Sequence, residues 1–229
     1  MKRQIPNLIT LCNLLCGVFS CIFAYEETLH IAAMFICLGI FFDFFDGMAA
    51  RLLGVASPLG KELDSLADVV TSGVAPGMIF YVILAQLSDI IWLKFLALLI
   101  PLFAAYRLAK FNLDERQALG FIGLPTPANA LFWGSLIWRL DWQRHFEPYM
   151  LPDFWFYIVL VLIPISSYLL VSEIPMFALK FKTWGWKGNE VKFIFLITCI
   201  PLLLLLGISG LAAIIAWYVI LSVIHDKYY

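Results

Sequence analysis

The stretch DFFDGMAARLLGVASPLGKELDSLAD, residues 43–68, places several charged side chains inside an apolar part of the chain. An ionisable side chain at the centre of a bilayer costs about 3 kcal/mol on insertion scales. Charged groups in such a place need compensation from an opposite charge, a metal ion or a bound substrate. The side chains that require such compensation are Asp43, Asp46, Arg51, Asp64 and Asp68.

The composition of the chain predicts a membrane protein. Of its 229 residues, 63% are hydrophobic and 14% are charged, and the mean hydropathy is +0.93. Soluble globular domains carry about 25% charged residues, and a membrane-spanning helix needs about 20 mostly apolar residues. We therefore expect an all-α integral membrane protein of about eight transmembrane helices, forming a single domain over residues 1–229. A formal net charge of −1 gives no reason to expect a nucleic-acid partner.

Apolar runs separated by polar or turn-forming residues predict the positions of the helices. The breaks include EET at 26–28, SP at 57–58 and FNLDERQ at 111–117. An amphipathic, lysine-bearing connector over 172–188 is expected to lie at the membrane interface, followed by a C-terminal helix pair over 189–225. The predicted helices cover residues 7–25, 29–53, 60–86, 89–111, 124–140, 151–171, 189–206 and 209–225.

The distribution of lysine and arginine predicts the orientation of the chain in the membrane. Cytoplasmic loops carry an excess of these residues. With a cytoplasmic N-terminus, the outer loops hold only Arg139 and Arg144, whereas the inner segments hold most of the other positive charges. We therefore expect both termini and the acidic stretch to face the cytoplasm, in the plasma (inner) membrane of a prokaryote.

Helical geometry gathers the aspartates of this stretch on two faces. At about 100° per residue, Asp46 falls about 60° from Asp43 on one helix, and Asp68 falls about 40° from Asp64 on the next. Glycine or alanine lies beside each acidic face, which lets another group approach closely. Two such faces joined by a short turn can converge on one site.

A converged set of carboxylates indicates a divalent metal ion. Carboxylates a few ångströms apart repel one another strongly at low dielectric unless a counter-charge is present. Oxygen-only ligation suits Mg²⁺ or Mn²⁺, and the stretch offers no Cys or His for zinc. Two such ions could clamp the attacking and leaving oxygens of a phosphoryl displacement.

The charged stretch is also compatible with two roles that involve no metal-assisted chemistry. The charges could extend from helix ends to the membrane interface, paired as Asp46 with Arg51 and Lys61 with Asp64. Alternatively, the acids could belong to a cation or proton pathway in a transporter, which predicts ionisable residues distributed through the bilayer. The acids instead cluster in one stretch, with no comparable set in the last four predicted spans, and this argues against transport.

The stretch resembles the signature of the CDP-alcohol phosphatidyltransferase family, Asp-x2-Asp-Gly-x2-Ala-Arg-x8-Gly-x3-Asp-x3-Asp. The resemblance implies a six-helix catalytic core, here about residues 7–171. It also implies an enzyme that transfers a phosphatidyl group from a CDP-linked lipid to an alcohol and releases CMP. The chain matches every specified position, namely Asp43, Asp46, Gly47, Ala50, Arg51, Gly60, Asp64 and Asp68.

The resemblance further implies roles for these residues. Asp68 would act as the general base and would also contact the second of two Mg²⁺ or Mn²⁺ ions. The metal ligands would be Asp43, Asp46, Asp64 and Asp68, and the CDP-lipid would be contacted by Asp43, Gly47, Ala50, Arg51 and Gly60.

The first predicted helix supplies further candidates for the CDP-lipid. Asn7, Thr10 and Asn13 lie within about 120° of one helical face. Amide and hydroxyl groups can provide the hydrogen bonds that cytosine needs, although small polar residues also serve as ordinary helix–helix contacts. The segment resembles the opening of the phosphatidylserine synthase branch of the family, which favours nucleotide binding.

Further segments resemble the bacterial and archaeal phosphatidylserine synthase branch. The resemblance implies CDP-diacylglycerol and L-serine as substrates, and phosphatidylserine and CMP as products. Lys110 stands where that branch has arginine, and the EIPMF sequence also departs from the branch pattern. Another acceptor alcohol and an archaeal ether-lipid donor are alternatives. The segments are TSGVAPG at 71–77, YRLAKFN at 106–112, GLPTPANA at 123–130 and VSEIPMFALKFK at 171–182.

Serine is a zwitterion, so its pocket needs a cation for the carboxylate and an acceptor for the ammonium group. Arg107 is the first candidate for the carboxylate, and Glu173 is a candidate for the ammonium group. The alternative for each basic residue is positive-inside topology with anionic-lipid contact. A homodimer is expected only because homodimers are common in the family. The remaining candidate serine-binding residues are Lys110, Asn112 and Lys180.

Overall fold

The structure is a computed structural model that describes residues 2–114, 121–146, 153–177, 179, 185–186 and 188–228. Its fold is built from helices that follow one another with short connections. A π-helical segment, Val69–Val74, joins α3 to α4, and a 3₁₀ segment, Leu93–Leu98, leads into α5. The helices are α1 (Ile5–Tyr25), α2 (Leu29–Leu52), α3 (Pro58–Asp68), α4 (Ala75–Leu87), α5 (Leu99–Leu113), α6 (Thr126–Phe146), α7 (Asp153–Val171), α8 (Glu190–Leu206) and α9 (Gly210–Tyr228).

Length and hydropathy identify the helical segments that can cross a membrane. Among the described residues, five continuous segments are long and apolar enough, and Trp155–Val171 is a shorter apolar helix. The prediction of an all-α integral membrane protein is confirmed, and each of the eight predicted helices has a counterpart. The five long segments are Lys2–Tyr25, Leu29–Leu52, Pro58–Leu87, Leu93–Leu113 and Glu190–His225.

The third predicted helix, 60–86, differs from the observed one by its π-helical segment. Pro76 lacks the N–H that would continue the regular hydrogen-bond ladder, so a local change of helix type is expected before it. Gly77 lets α5 approach closely, because a Cβ there would lie 2.7 Å from Cδ of Pro101. The segment begins directly after Asp68, so the change in helix type occurs next to the acidic stretch.

A two-residue antiparallel ladder pairs Phe121–Ile122 with Pro175–Met176. Gly123 makes the turn possible, since its φ is +75° and a Cβ there would lie 2.7 Å from the carbonyl oxygen of Leu170. The predicted interfacial connector, 172–188, therefore begins with residues hydrogen-bonded to the loop before α6. Such a short ladder has no periodicity that the sequence could reveal.

The core lies where α2, α4 and α6 meet. Phe80 and Trp133 are fully buried there, with ring centroids 4.5 Å apart. Nearer the acidic stretch, glycines allow α1 and α2 to pack closely against the π-helical segment. A Cβ at Gly17 would lie 2.5 Å from Oγ1 of Thr71, and a Cβ at Gly39 would lie 2.4 Å from Cγ2 of Thr71. Thr71 Oγ1 also donates to the carbonyl oxygen of Asn13 at 2.9 Å.

We predict that Gly17→Ala destabilises the fold. The added methyl group would also lie 2.9 Å from the backbone nitrogen and Cα of Thr71, so α1 and the π-helical segment would have to separate. Overpacking of this kind costs about 1–3 kcal/mol. Thermal unfolding of the purified protein in detergent measures the effect.

Gly185→Ala is the matched control, because among the described residues, its chain neighbours aside, no atom lies within 4 Å of a Cβ built at that position. Equal unfolding temperatures for the two variants would contradict the proposed close contact.

Candidate active site

Three aspartates lie together where α2 approaches α3. Asp43 is on α2, and Asp64 and Asp68 are on α3. Each offers a carboxylate oxygen, and these atoms all lie within 4.8 Å of one another. Asp68 is buried, and the other two are partly buried. We call these three residues the aspartate cluster; their mutual repulsion requires a nearby positive charge.

The donor atoms of the aspartate cluster fit a divalent metal ion. Asp64 Oδ1 is buried and has no hydrogen-bond partner in the part of the chain that the structure describes. Buried polar atoms usually have a partner, so this oxygen is available to an ion or a ligand. A set made only of carboxylate oxygens suits a hard cation such as Mg²⁺ or Mn²⁺.

Asp46 lies beside the aspartate cluster and is held differently. Its side chain is buried, and Oδ2 accepts a hydrogen bond from Oγ1 of Thr10 at 2.5 Å. Oγ1 of Thr10 also lies 3.0 Å from the carbonyl oxygen of Pro6, one turn earlier in α1. Asp46 therefore connects α2 to α1, at the wall of a neighbouring cavity.

This cavity has a volume of about 240 Å³ and lies between α1, α2 and α3; we call it the α1–α3 cavity. Of the residues predicted to contact the CDP-lipid, it brings together Asn7, Thr10, Gly47, Ala50, Arg51 and Gly60. Asn13 and Asp43 do not line it. Asp46, Lys61 and Asp64 complete its polar wall.

The local sequence explains why α3 begins at this cavity. Ser57 caps the helix, since its Oγ accepts from the backbone N–H of Gly60 at 3.1 Å, and Pro58 occupies the first turn. A Cβ at Gly60 would lie 3.3 Å from Oδ1 of Asn7, so glycine allows α1 to lie close to α3. A Cβ at Gly47 would meet, among the described side chains, only Arg51 Nη2, at 4.0 Å.

Asn13 contacts Asp68 rather than the cavity. Its Nδ2 donates to Asp68 Oδ1 at 3.2 Å, and its own Oδ1 is buried without a partner among the described residues. The sequence predicted Asn13 as a nucleotide contact from its place on the helix face. The structure instead places it where it orients the carboxylate of Asp68.

Arg107 lies on the other side of Asp68. It is buried, and the two side chains are close enough to interact electrostatically. Nη1 of Arg107 donates to Oγ1 of Thr126 at 3.0 Å, and its guanidinium lies over the ring of Phe111 at 4.8 Å. Nε has no partner in the described part of the chain. The guanidinium is thus fixed in position but keeps one free donor.

The other predicted serine contacts occupy the end of α5. Lys110 forms an ion pair with Glu173 at 2.5 Å, the acid that the sequence assigned to the ammonium group. Asn112 donates from Nδ2 to Oγ of Ser65 at 2.8 Å, and its carbonyl oxygen accepts from Nζ of Lys61 at 3.1 Å. Lys180 lies outside the described residues.

The structure brings together three separate segments that resemble the phosphatidylserine synthase branch. Residues 106–112 contact residues 123–130 through Arg107 and Thr126, and contact 171–182 through Lys110 and Glu173. The backbone N–H of Gly123 donates to the carbonyl oxygen of Ile174 at 2.9 Å, which joins the latter two segments beside the two-residue ladder. The sequence singled out the segments but missed Thr126, because a partner of a buried arginine leaves no local signal.

The alternative of paired helix-end charges does not match the geometry. Arg51 donates from Nε to the carbonyl oxygen of Gly47, and Lys61 donates to α5. All four residues of the two expected pairs are described, and neither pair forms an ion pair.

Comparison with known proteins agrees with this site. The model of the CDP-alcohol phosphatidyltransferase family matches residues 3–141. The chain belongs to this family. The family match includes the whole acidic stretch and confirms the resemblance that the sequence indicated.

Several relatives carry the name CDP-diacylglycerol–serine O-phosphatidyltransferase. The Bacillus subtilis protein is 42% identical over 125 residues, which cover 55% of this chain and 70% of that protein. The Helicobacter pylori protein is 32% identical over 223 residues, covering 96% of this chain and 90% of that protein. The Methanocaldococcus jannaschii protein is 37% identical over 131 residues, covering 56% of this chain and 57% of that protein.

We predict that Asp64→Asn and Asp43→Asn each weaken Mn²⁺ binding by about tenfold or more. Each substitution removes a charged oxygen ligand while keeping the side-chain volume, and hard cations prefer carboxylates. Calorimetric titration of the purified protein with Mn²⁺ measures the affinity.

Glu62→Gln is the control, because Glu62 is an exposed acid on the same helix and lies outside the aspartate cluster. It should bind Mn²⁺ like the unchanged protein. If Glu62→Gln and Asp64→Asn lowered the affinity equally, the aspartate cluster would not be the metal site.

Proposed function

We propose that this protein transfers the phosphatidyl group of CDP-diacylglycerol to the hydroxyl group of L-serine, giving phosphatidylserine and CMP. The observation that carries the proposal is the position of the aspartate cluster. It adjoins the α1–α3 cavity through Asp64 and adjoins Arg107 through Asp68. A donor and an acceptor bound on these two sides would meet at the carboxylates.

The α1–α3 cavity would hold the cytidine diphosphate of the donor. Asn7 and Thr10 offer amide and hydroxyl groups to the cytosine or ribose, and Arg51 offers a guanidinium to the phosphates. The small residues Gly47, Ala50 and Gly60 leave room for the nucleotide and its phosphates. Asp43, Asp46, Asp64 and Asp68 would hold two Mg²⁺ or Mn²⁺ ions. Divalent ions bound there would neutralise the diphosphate and stabilise the negative charge on departing CMP.

Asp68 would act as the general base. It would accept the proton of the serine hydroxyl as the serine oxygen forms a bond to the phosphorus that carries diacylglycerol. The bond from that phosphorus to the oxygen of CMP breaks in the same displacement. A general base must lie within hydrogen-bond distance of the proton that it removes. The hydrogen bond from Asn13 supports the role, because it holds the Asp68 carboxylate in one orientation.

Arg107 would bind the carboxylate of serine. Its position beside Asp68, its burial and its free Nε donor support this role, since a buried guanidinium needs an anionic partner. The end of the pocket that binds the serine carboxylate would be completed by Lys110, Lys180 and Asn112. Glu173, paired with Lys110 in the structure, would accept from the serine ammonium group.

The membrane context of the reaction is also a proposal. The chain would form one catalytic domain over residues 1–229, with a core over about 7–171, and it would work as a homodimer. The active site and both termini would face the cytoplasm at a prokaryotic plasma membrane. Serine and CMP are water-soluble and would reach or leave the site from the cytoplasm. The family match supports an enzyme over a transporter.

We predict serine-dependent release of CMP from CDP-diacylglycerol by the purified protein with Mg²⁺ or Mn²⁺. Asp68→Asn should abolish this release, because the amide cannot accept the proton of the serine hydroxyl, while the protein stays folded. Glycerol 3-phosphate, myo-inositol, inositol phosphate and a CDP-linked ether lipid are tested alongside. CMP release with another acceptor would agree with the family assignment but contradict serine as the acceptor. A fully active Asp68→Asn variant would contradict the proposed role of Asp68 as the general base.

We also predict that Arg107→Lys raises the KM for serine by about tenfold while the KM for CDP-diacylglycerol changes less than about threefold. Lysine keeps the charge but loses the planar fork that holds both Thr126 and a carboxylate. Initial rates at varied serine and varied donor separate the two constants.

Arg3→Lys is the control, because Arg3 is exposed and does not line the α1–α3 cavity. A rise in the donor KM alone would place Arg107 on the donor side instead.

A further inference from the structure

Lys61 lies at the junction between the donor side and the acceptor side of the site. It follows Gly60, lines the α1–α3 cavity and is exposed. It stands one helical turn before Asp64, so its side chain starts from the same helix as the aspartate cluster. The family signature leaves this position unspecified, and no role follows for Lys61 from the signature.

A closed set of hydrogen bonds joins Lys61 to α5. Its Nζ donates to the carbonyl oxygen of Asn112 at 3.1 Å. Asn112 donates from Nδ2 to Oγ of Ser65 at 2.8 Å, and Ser65 donates back to the carbonyl oxygen of Lys61 at 3.2 Å. Two of these bonds connect α3 to the last turn of α5, and the third, within α3, closes the set.

The ammonium group of Lys61 keeps donors for a ligand. An ammonium has three N–H groups, and the bond to Asn112 uses one of them. Lys61 makes no ion pair with Asp64, although both are described and line the same cavity. Its charge is therefore not neutralised by Asp64.

The charges of the cavity call for a second cation there. A diphosphate bound near Asp46 and Asp64 would add negative charge to a wall that is already acidic. Arg51 can meet only part of this charge, because its Nε is engaged with the carbonyl oxygen of Gly47. Of the residues that line the cavity, Lys61 and Arg51 are the positively charged ones.

We propose that Lys61 binds the diphosphate of the CDP-linked donor while it remains bonded to Asn112, and so joins the donor cavity to the helix that carries Arg107. The inference rests on the proposed function for the identity of the donor. Ser65 and Asn112 hold the bridge in place. A bound donor thereby fixes the end of α5, next to the acceptor side.

A simpler alternative gives Lys61 only a structural role. The last carbonyl groups of a helix lack partners, and a lysine near them is favourable. In that case the substitution of Lys61 would lower the stability of α5 without any specific effect on phosphate recognition. Comparing CDP with cytidine separates the two roles, because cytidine lacks the phosphates.

The test is calorimetric binding of CDP to the purified protein in detergent with Mg²⁺, with cytidine measured by competition. We expect Lys61→Gln to weaken CDP binding about tenfold, the loss of one charge-assisted contact, and to leave cytidine binding unchanged. Lys61→Arg should restore most of the CDP affinity. Equal CDP affinities for Lys61→Gln and the unchanged protein would overturn the proposal.

Two control variants sharpen this result. Lys94→Gln removes a lysine whose ammonium lies near the ring of Tyr81, outside the cavity, and should not alter CDP binding. Ser65→Ala breaks the hydrogen-bond set but keeps the charge of Lys61, so CDP affinity should change less than about threefold. A tenfold loss in Ser65→Ala would assign the effect to the hydrogen-bond scaffold and contradict a direct contact between Lys61 and the diphosphate.

A measurement on the unchanged protein avoids any folding defect of a variant. Amine acetylation read by mass spectrometry should slow at Lys61 when CDP is added, and should not slow at Lys94 or with cytidine. An unchanged rate at Lys61 in the presence of bound CDP would overturn the proposal. CDP binding without serine-dependent CMP release would instead overturn serine transfer and leave the Lys61 contact standing.

Discussion

The mutual repulsion of three carboxylates is the constraint on which the rest of this structure depends. Oxygens of Asp43, Asp64 and Asp68 lie within 4.8 Å of one another in a membrane protein. At low dielectric such a set is strongly unfavourable without a cation, so the fold must hold two helices together against it. These oxygens could hold a divalent ion, whose charge would offset the repulsion among them.

The packing around the aspartate cluster explains how that repulsion is resisted. Glycines at 17 and 39 let α1 and α2 close on Thr71, directly after α3, at distances that a side chain would prevent. Thr10 and Asn13 of α1 then reach the carboxylates of Asp46 and Asp68. Helix α1 thus stabilises both acidic helices at once, through close backbone contact and through hydrogen bonds to the charged groups.

The sequence predicted that the aspartates converge, but it did not predict the contacts that surround them. The spacing of Asp43, Asp64 and Asp68 sets their positions on two helix faces, and a short turn between the helices lets those faces meet. Helix positions followed from apolar runs, because burial in a membrane imposes them locally. The contact of Arg107 with Thr126 and the ladder of Phe121–Ile122 with Pro175–Met176 depend on packing between distant segments. No local periodicity encodes such contacts.

Helix α3 belongs to both sides of the site, and this has a mechanical consequence. Lys61 and Asp64 on α3 line the α1–α3 cavity, while Asp68, one turn further, is close enough to Arg107 to interact with it electrostatically. Helix α3 continues through the π-helical segment into α4, over Pro58–Leu87. A displacement of α3 would move its cavity-lining residues and Asp68 together, because Lys61, Asp64 and Asp68 lie on one helix, Pro58–Asp68. A ligand that shifted α3 from the cavity side would therefore also shift the Asp68 carboxylate.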